Sequence, residues 1–178
     1  LGVLATVAAM GLDPAAAIVG LERFAPLAGR GLRRSMPFPG GRLLLLDESY
    51  NANGASMRAA LDILRLQPAR RRIAVLGDML ELGGEGPAEH AGLADSLVSS
   101  ADLLFACGPL MRHLFDAVPA AMRAAHAANS LELAPIVAAA VAAGDAVLVK
   151  GSLGSGMKHV VQAIDAAAST ETSAAGAG

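Results

Sequence analysis

Aromatic residues, cysteine and net charge are all scarce in this sequence of 178 residues. Aromatics make up 3% of the chain with no Trp, and the formal net charge is −2. Neither base stacking nor a basic surface is therefore expected, and we predict no nucleic-acid partner. Cys107 is the single cysteine, which excludes an internal disulfide and is typical of a reducing cytoplasmic location.

Long uninterrupted apolar runs are missing as well. Residues 1–10 are apolar but form a short segment without a basic flank, which predicts neither a signal peptide nor a membrane span. Elsewhere the Ala/Val stretches are broken every few residues by Gly, Asp, Arg or Pro, so no membrane insertion is expected. The chain begins with Leu in what reads like the middle of a helix, and we expect it to be a fragment.

Hydrophobic residues are abundant, at 54%, and they follow a repeating order. Short apolar runs alternate with segments whose apolar residues recur at helical spacing. Apolar runs without alternation are typical of strands buried on both faces, and strand–helix alternation with short loops predicts right-handed crossovers. The sequence therefore predicts an α/β fold with a doubly wound, mostly parallel sheet, whose core strands lie at 43–47, 72–78, 102–107, 122–127 and 146–150.

The flanking segments have different patterns. Residues 1–28 predict two helices, the second beginning after Asp13 as N-cap and continuing to Phe24. The segment before the first core strand predicts an edge hairpin that turns at Gly40–Gly41. The small and polar residues 169–178 predict a disordered tail. Further helix starts are predicted at Asn53 and Ser130 as N-caps and near Pro87.

The stretch "DAVLVKGSLGSGMKHV" (145–160) is nearly a phosphate-binding P-loop. Gly151 and Gly156 have the separation that the motif needs, but Met157 follows them and Lys158 comes one residue late. One residue turns a helical side chain by about 100°, so Lys158 is expected to point away from a phosphate. No hydroxyl remains to hold a metal, and the P-loop interpretation is rejected.

Polar side chains cluster where the first two core strands end. Asp47 closes the first strand, and Ser49, Tyr50, Asn51 and Asn53 follow before the next helix. Capping a helix needs one such residue, so this excess favours a ligand site at the carboxyl edge of the sheet.

The second strand repeats the pattern with Asp78 and, on the next helix, His90. We interpret His90 as a buried, hydrogen-bonded residue, because it lies on an apolar helical face. The remaining histidines and Cys107 share no metal-ligand spacing, so no metal site is predicted.

Several segments together resemble the carboxyl-terminal part of the Mur ligases, in particular the branch that adds D-alanyl-D-alanine to UDP-N-acetylmuramoyl-tripeptide. The matching segments are "LERFAPLAGRG" (21–31), "LLDESYNANGASMRAAL" (45–61), "RIAVLGDMLELG" (72–83) and "DAVLVKGSLGSGM" (145–157). The resemblance implies a three-domain cytoplasmic enzyme of peptidoglycan synthesis. Residues 1–29 would end its central ATPase domain, and residues 30–168 would form its Rossmann-like third domain.

The resemblance also implies the substrates. ATP with Mg²⁺ would activate the tripeptide carboxylate as an acyl phosphate, which the amine of D-Ala-D-Ala attacks. The P-loop, the UDP site and most ATP and Mg²⁺ contacts would belong to N-terminal and central domains that this chain lacks. The fragment is accordingly expected to be inactive alone.

Site roles follow from the resemblance residue by residue. Arg30 matches a catalytic arginine that reaches the nucleotide phosphates, a role that suits a bidentate, always charged group. Asp47 matches the acidic residue that binds ribose hydroxyls, and Tyr50 and Asn51 match the loop beside the nucleotide.

On the acceptor side, Asn53, Lys150 and Ser152 are expected near the dipeptide, with Lys150 pairing with its carboxylate. Asp78 and His90 would support the site from behind. Gly54, Leu153 and Ser155 depart from the residues common in the family.

Two alternatives remain open at this point. The chain could be the carboxyl-terminal domain of another Mur or folylpolyglutamate-type ligase, which joins a different amino acid to a different carboxylate. It could also be a stand-alone nucleotide-binding or interaction module.

Overall fold

The structure is a computed structural model that describes residues 2–22 and 27–174. Helices α1 (Gly2–Ala9) and α2 (Pro14–Glu22) confirm the two predicted helices. The Asp13 carboxylate accepts a hydrogen bond from the Ala15 amide at 2.9 Å, as expected of an N-cap. The predicted continuation of the second helix to Phe24 lies outside the described residues. No helix within the described part of the chain is long and apolar enough to cross a membrane.

The predicted edge hairpin is confirmed. Strand β1 (Leu32–Phe38) pairs antiparallel with β2 (Gly41–Glu48), and Phe38 lies opposite Gly41. The turn therefore consists of Pro39 and Gly40, one residue earlier than predicted. Gly40 has φ 81°, a left-handed conformation that glycine adopts without steric cost.

The rest of the chain alternates strands and helices as predicted. The strands that follow are β3 (Arg71–Gly77), β4 (Leu103–Cys107), β5 (Arg123–Ala127) and β6 (Asp145–Lys150). The helices that follow are α3 (Gly54–Arg65), α4 (Gly86–Ala91), α5 (Ala94–Ser100), α6 (Met111–Ala117), α7 (Ser130–Ala140) and α8 (Lys158–Ala174).

Three predicted boundaries are wrong. The helix predicted from Pro87 is two short helices, α4 and α5, preceded by a 3₁₀ turn at Gly83–Glu85. The N-cap of α7 is Asn129 rather than Ser130, because the Asn129 side chain accepts the Glu132 amide at 3.0 Å. Helix α8 continues to Ala174 and so includes much of the predicted tail, while residues 175–178 lie outside the described part.

The six strands form one sheet in the order β1-β2-β6-β3-β4-β5, and every pairing except β1 with β2 is parallel. Apolar side chains from α7 and α8 cover one face, and those from α3, α5 and α6 cover the other. Every residue of β6 is buried, as the unbroken apolar run predicted. The chain moves outward from β2 to β5 and then returns to insert β6 between β2 and β3, which creates a point where the strand order reverses.

Candidate functional site

The carboxyl ends of β2, β6 and β3 lie side by side at the point where the strand order reverses. Glu48 at the end of β2 is in register with Lys150 at the end of β6, and Leu76 of β3 pairs with the same lysine. In parallel α/β sheets this is the place where ligands bind. Eight of the nine predicted site residues lie at the ends of these three strands or in the segments that follow them, and Arg30, just before the hairpin, is the ninth.

Asp47 is buried and ties together two segments at this edge. One carboxylate oxygen accepts the Gly29 amide at 2.9 Å, and the other accepts the Ser49 amide at 3.1 Å and the Ser49 hydroxyl at 2.6 Å. Both oxygens are thus engaged in fixing the segment around Gly29 and the loop after β2. A ribose contact would have to share these oxygens, and the ribose role of Asp47 stays a prediction.

Arg30 and Tyr50 are stacked at the surface. The Tyr50 amide donates to the Gly29 carbonyl at 3.1 Å, which brings the two segments together. The guanidinium carbon of Arg30 lies 3.9 Å from the centroid of the Tyr50 ring, a cation–π contact. Gly29 has φ 77°, and a Cβ there would lie 3.0 Å from the Tyr50 Cβ, so this close approach requires glycine.

The two asparagines that follow have local partners. The side-chain oxygen of Asn51 accepts the Ala52 amide at 2.9 Å. Asn53 is the N-cap of α3, as predicted: its side chain accepts the Ser56 amide at 2.8 Å, and the Ser56 hydroxyl accepts the Asn53 amide at 3.0 Å. This reciprocal pair is a capping box. Both asparagines are exposed, so their remaining polar atoms face solvent.

Lys150 is almost completely buried, at 2% exposure. Its ammonium donates to the Asn51 carbonyl at 2.9 Å and lies 3.6 Å from a carboxylate oxygen of Glu48. Burial lowers the pKa of Lys150 below its ordinary value because the charged form loses hydration, and the Glu48 carboxylate opposes this shift.

A cleft of about 250 Å³ opens between these side chains. It is lined by five predicted residues, Arg30, Tyr50, Asn51, Asn53 and Lys150, together with Gly29, Glu48 and Ser56. Asp47 instead lines an adjoining cleft of about 310 Å³, with Tyr50 between the two. The Lys150 charge faces Glu48, so the accessible cation of the cleft is Arg30, and this guanidinium with the exposed Tyr50 ring and the amide side chains suits an anionic ligand that carries a planar ring.

Comparison with known proteins agrees with this geometry. Residues 39–153, well over half of the chain, match the family described as "Mur ligase, glutamate ligase domain". The chain belongs to the Mur ligase family. Over 124 residues it is 34% identical to the UDP-N-acetylmuramoyl-tripeptide–D-alanyl-D-alanine ligase of Escherichia coli. The matched region covers 68% of this chain and 26% of that protein. The enzyme of the same name from Synechocystis is 53% identical over 51 residues, 29% of this chain and 11% of that protein.

Solved Mur ligase structures have the same fold. MurF from Thermotoga maritima, determined in complex with ADP, superposes with a TM-score of 0.76 at 22% identity, over 94% of this chain and 37% of that one. MurF from Acinetobacter baumannii gives a TM-score of 0.74 at 26% identity, over 89% of this chain and 34% of that one. The present chain therefore spans about a quarter to a third of the length of these Mur ligases.

The remaining predicted residues of this Mur ligase chain, Asp78, His90 and Ser152, are buried and do not line this cleft. Asp78 accepts the Met111 amide at 2.6 Å and the Leu110 amide at 3.3 Å. His90 accepts the Met79 amide at 2.9 Å, which confirms that it is a buried, hydrogen-bonded residue.

Ser152 completes this buried set. Its hydroxyl accepts the Leu80 amide at 2.9 Å, and its amide donates to the Asp78 carbonyl at 3.1 Å. Asp78 and Ser152 join the loops after β3, β4 and β6 to one another, and His90 fixes the start of the loop after β3 to α4.

The near P-loop is folded on itself. The Ser155 hydroxyl donates to the Ser152 carbonyl at 2.6 Å, and a Cβ on Gly151 would collide with that same hydroxyl. Lys158 is exposed and lines the adjoining cleft of about 310 Å³ beside Asp47. The glycines therefore permit tight packing of the loop, which agrees with the rejection of a phosphate-binding P-loop.

Sequence reasoning missed Glu48, which lines the cleft and faces the Lys150 ammonium. Successive strand residues point to opposite faces, so Asp47 and Glu48 separate toward different clefts. That alternation is the local signal that could have identified Glu48. Its pairing with Lys150 depends on the insertion of β6 beside β2.

Proposed function

We propose that this chain provides the carboxyl-terminal domain of an ATP-dependent ligase that joins D-alanyl-D-alanine to UDP-N-acetylmuramoyl-tripeptide. The relatives from Escherichia coli and Synechocystis carry that name. The observation that carries the proposal is the cleft in which Arg30, stacked on Tyr50, and Lys150 meet at the ends of β2 and β6. Residues 30–168 would form this domain, and residues 1–29 would end a preceding ATPase domain.

The reaction needs an activated carboxylate. A carboxylate is a poor electrophile, so phosphoryl transfer from ATP gives an acyl phosphate with a good leaving group. The dipeptide amine then attacks the acyl carbon, the C–N bond forms, and inorganic phosphate leaves. This domain would bring the two partners together and exclude water while it closes on the rest of the enzyme.

Arg30 is the proposed phosphate-binding residue. Its guanidinium makes no ion pair with any residue that the structure describes, and Tyr50 holds it by stacking, so its N–H groups are available to a phosphate. Tyr50 and Asn51 would contact the nucleoside, with Asp47 fixing the segments that carry them and Arg30.

The Mg²⁺ ion would be bound mainly by the central domain of the complete enzyme. The described residues contain no group of three or more His, Cys, Asp or Glu side chains that could hold a metal. No step is therefore proposed for a metal bound by this chain. The acceptor dipeptide would lie toward Asn53 and the end of β6, where Lys150 and Ser152 are located.

The test is made in the complete ligase that contains this chain. With ATP, UDP-N-acetylmuramoyl-tripeptide and D-Ala-D-Ala, Arg30→Ala should lower kcat by roughly 10³-fold or more, on the scale of arginine contributions to phosphoryl transfer. Arg33→Ala is the matched control, because Arg33 is exposed on β1. Phosphate release is the measurement, and the 178-residue chain alone should give none, because its sequence contains no Walker A motif.

An unchanged kcat for Arg30→Ala would contradict the role of Arg30. A complete enzyme that accepts glutamate or another amino acid instead of D-Ala-D-Ala would assign the chain to a different ligase of the same fold. A screen of amine substrates with the complete enzyme distinguishes D-Ala-D-Ala from other acceptors.

A further inference from the structure

The loop between β2 and α3, residues 49–53, carries three of the residues that line the cleft, Tyr50, Asn51 and Asn53. We call it the rim loop. On one side it is attached to the segment around Gly29 through the Tyr50 amide and Asp47. On the other side its attachment to the sheet is the hydrogen bond from the Lys150 ammonium to the Asn51 carbonyl.

Lys150 is poorly placed to bind a substrate carboxylate directly. At 2% exposure it has almost no surface for a ligand to reach. One N–H already serves the Asn51 carbonyl at 2.9 Å, and the Glu48 carboxylate lies 3.6 Å away. An incoming carboxylate would have to displace the carbonyl and approach a like charge in a partly desolvated site, which is unfavourable.

The loop that Lys150 holds connects directly to the cation of the cleft. Tyr50 precedes Asn51, and its ring stacks on the guanidinium of Arg30 at 3.9 Å. If the Asn51 carbonyl is released, the residue directly after Tyr50 loses its hydrogen bond to β6, and Tyr50 is held less firmly. A change at Lys150 should therefore reach Arg30 through Tyr50.

We propose that Lys150 is a positioning residue that fixes the rim loop to β6 and thereby holds Tyr50 under Arg30. The claim that Lys150 acts on the nucleotide side of the ligase rests on the proposed function. The hydrogen bond by which Lys150 fixes the loop does not depend on it. Lys150 then acts on the substrates through Tyr50 and Arg30 and makes no direct contact with the dipeptide carboxylate.

The chain offers a direct probe of this arrangement. Tyr50 is the single tyrosine and there is no Trp, so tyrosine fluorescence reports on the rim loop alone. The chain's lysines are Lys150 and Lys158, one buried and one exposed. Lys158→Met is therefore a matched control for Lys150→Met, and Lys150→Arg tests rescue by another N–H donor.

In the 178-residue chain without ligand, Lys150→Met should lower the anisotropy of Tyr50 emission and raise its quenching by acrylamide. The Tyr50 amide should exchange its hydrogen roughly tenfold faster, as expected when a charged hydrogen bond no longer restrains a loop. Lys158→Met should change neither quantity, and Lys150→Arg should recover most of the difference. A folded Lys150→Met chain, judged by far-UV circular dichroism, with the Tyr50 behaviour of the wild type would overturn the proposal.

Two further measurements cover a variant that fails to fold and separate this proposal from the proposed function. In the wild-type chain, an amine-specific reagent should modify Lys150 at least about tenfold more slowly than Lys158, and equal rates would contradict a fixed loop. In the complete ligase, Lys150→Met should change kcat and the KM for ATP, and Lys150→Arg should restore most of both values. A rise confined to the KM for D-Ala-D-Ala would assign Lys150 to the dipeptide instead. Because the fluorescence experiment uses no ligand, it stands even if the substrates prove to be different.

Discussion

Two neighbouring regions at the same edge of the sheet differ in the exposure of their polar side chains and in what these side chains bind. After β2, polar side chains are exposed around a cleft, and Tyr50 is 40% exposed. After β3 and β6, polar side chains are buried and bind backbone amides: Asp78 is 4% exposed and His90 is fully buried. Both regions follow buried parallel strands and both carry an excess of polar residues. A polar run at a strand end therefore predicts either a ligand site or an internal joint between loops.

The difference lies in what the polar atoms bind. Asp78 and Ser152 each accept amides from a loop distant in sequence, which fixes three loops to one another, and His90 accepts the Met79 amide within the β3–α4 connection. Around the cleft, Arg30 and Asn53 have partners for only part of their hydrogen-bonding capacity. Unused donors and acceptors at a concave surface are available to a ligand, whereas saturated ones contribute to stability.

The largest expected effect is on the buried side. Asp78→Ala leaves the Leu110 and Met111 amides at the start of α6 without their carboxylate partner, and we expect a loss of about 2–4 kcal/mol in the free energy of unfolding. Urea denaturation of the chain at neutral pH measures it.

The control is an aspartate on the surface. Asp62 is 67% exposed in its side chain and makes a loose contact of 3.8 Å with Arg65. Asp62→Ala should therefore change the free energy of unfolding by less than about 0.5 kcal/mol. Similar losses for both variants would mean that the buried joint is not what stabilises this edge.

How far the sequence predicts this edge depends on the range of the interactions involved. The buried strands and the Asn53 cap were predicted correctly, because apolar runs and the Asn53–Ser56 spacing are local signals. Asn129 had a similar signal that was overlooked, since Glu132 follows it by three residues. The break between α4 and α5 at Gly92 was not predicted, because the apolar spacing continues through it.

The site could be predicted less completely than the fold. Of the nine predicted site residues, five line one cleft: Arg30, Tyr50, Asn51, Asn53 and Lys150. The burial of Lys150 was not foreseen, because it depends on β6 lying between β2 and β3. For the same reason the sequence did not distinguish Ser152, which binds a loop amide, from residues that face the cleft. Both features depend on contacts between segments that are distant in the sequence.

The pH dependence of the free energy of unfolding provides another way to examine the buried side. Burial, and next the nearby Asp78 carboxylate, raise the pKa of Cys107 from its ordinary 9.0 to about 12. The unfolded chain then loses this proton near pH 9 while the folded chain keeps it, so stability falls between about pH 9 and 12. The slope for one proton approaches about 1.4 kcal/mol per pH unit.

Cys107→Ala should remove this alkaline loss, apart from a pH-independent offset from the smaller side chain. Lys150 contributes with the opposite sign, because its pKa is lowered and the unfolded chain holds its proton longer. The difference between wild type and Cys107→Ala, measured by urea denaturation from pH 7 to 11, isolates the thiol. Parallel stability curves would show that Cys107 does not titrate differently in the folded chain.

The smallest expected effect compares two asparagines in the rim loop. Asn53→Ala removes the side-chain oxygen that accepts the Ser56 amide at the start of α3, whereas the bond from the Asn53 backbone amide to the Ser56 hydroxyl can remain, and the change should lower the free energy of unfolding by about 1 kcal/mol. Asn51→Ala removes a single contact with the adjacent Ala52 amide, and should change it by less than about 0.5 kcal/mol. Thermal and urea denaturation of both variants provide the measurement.

Together, Asn51→Ala and Asn53→Ala distinguish a side chain that stabilises the loop from one that contacts a substrate. Asn51 keeps its attachment to Lys150 in the Asn51→Ala variant, because the acceptor is the backbone carbonyl. A loss of ligase activity in the complete enzyme with unchanged stability would then point to contact between the Asn51 side chain and a substrate. If Asn51→Ala instead destabilised the chain as much as Asn53→Ala, the rim loop would resemble the buried joint after β3, and the distinction between the two regions would fail.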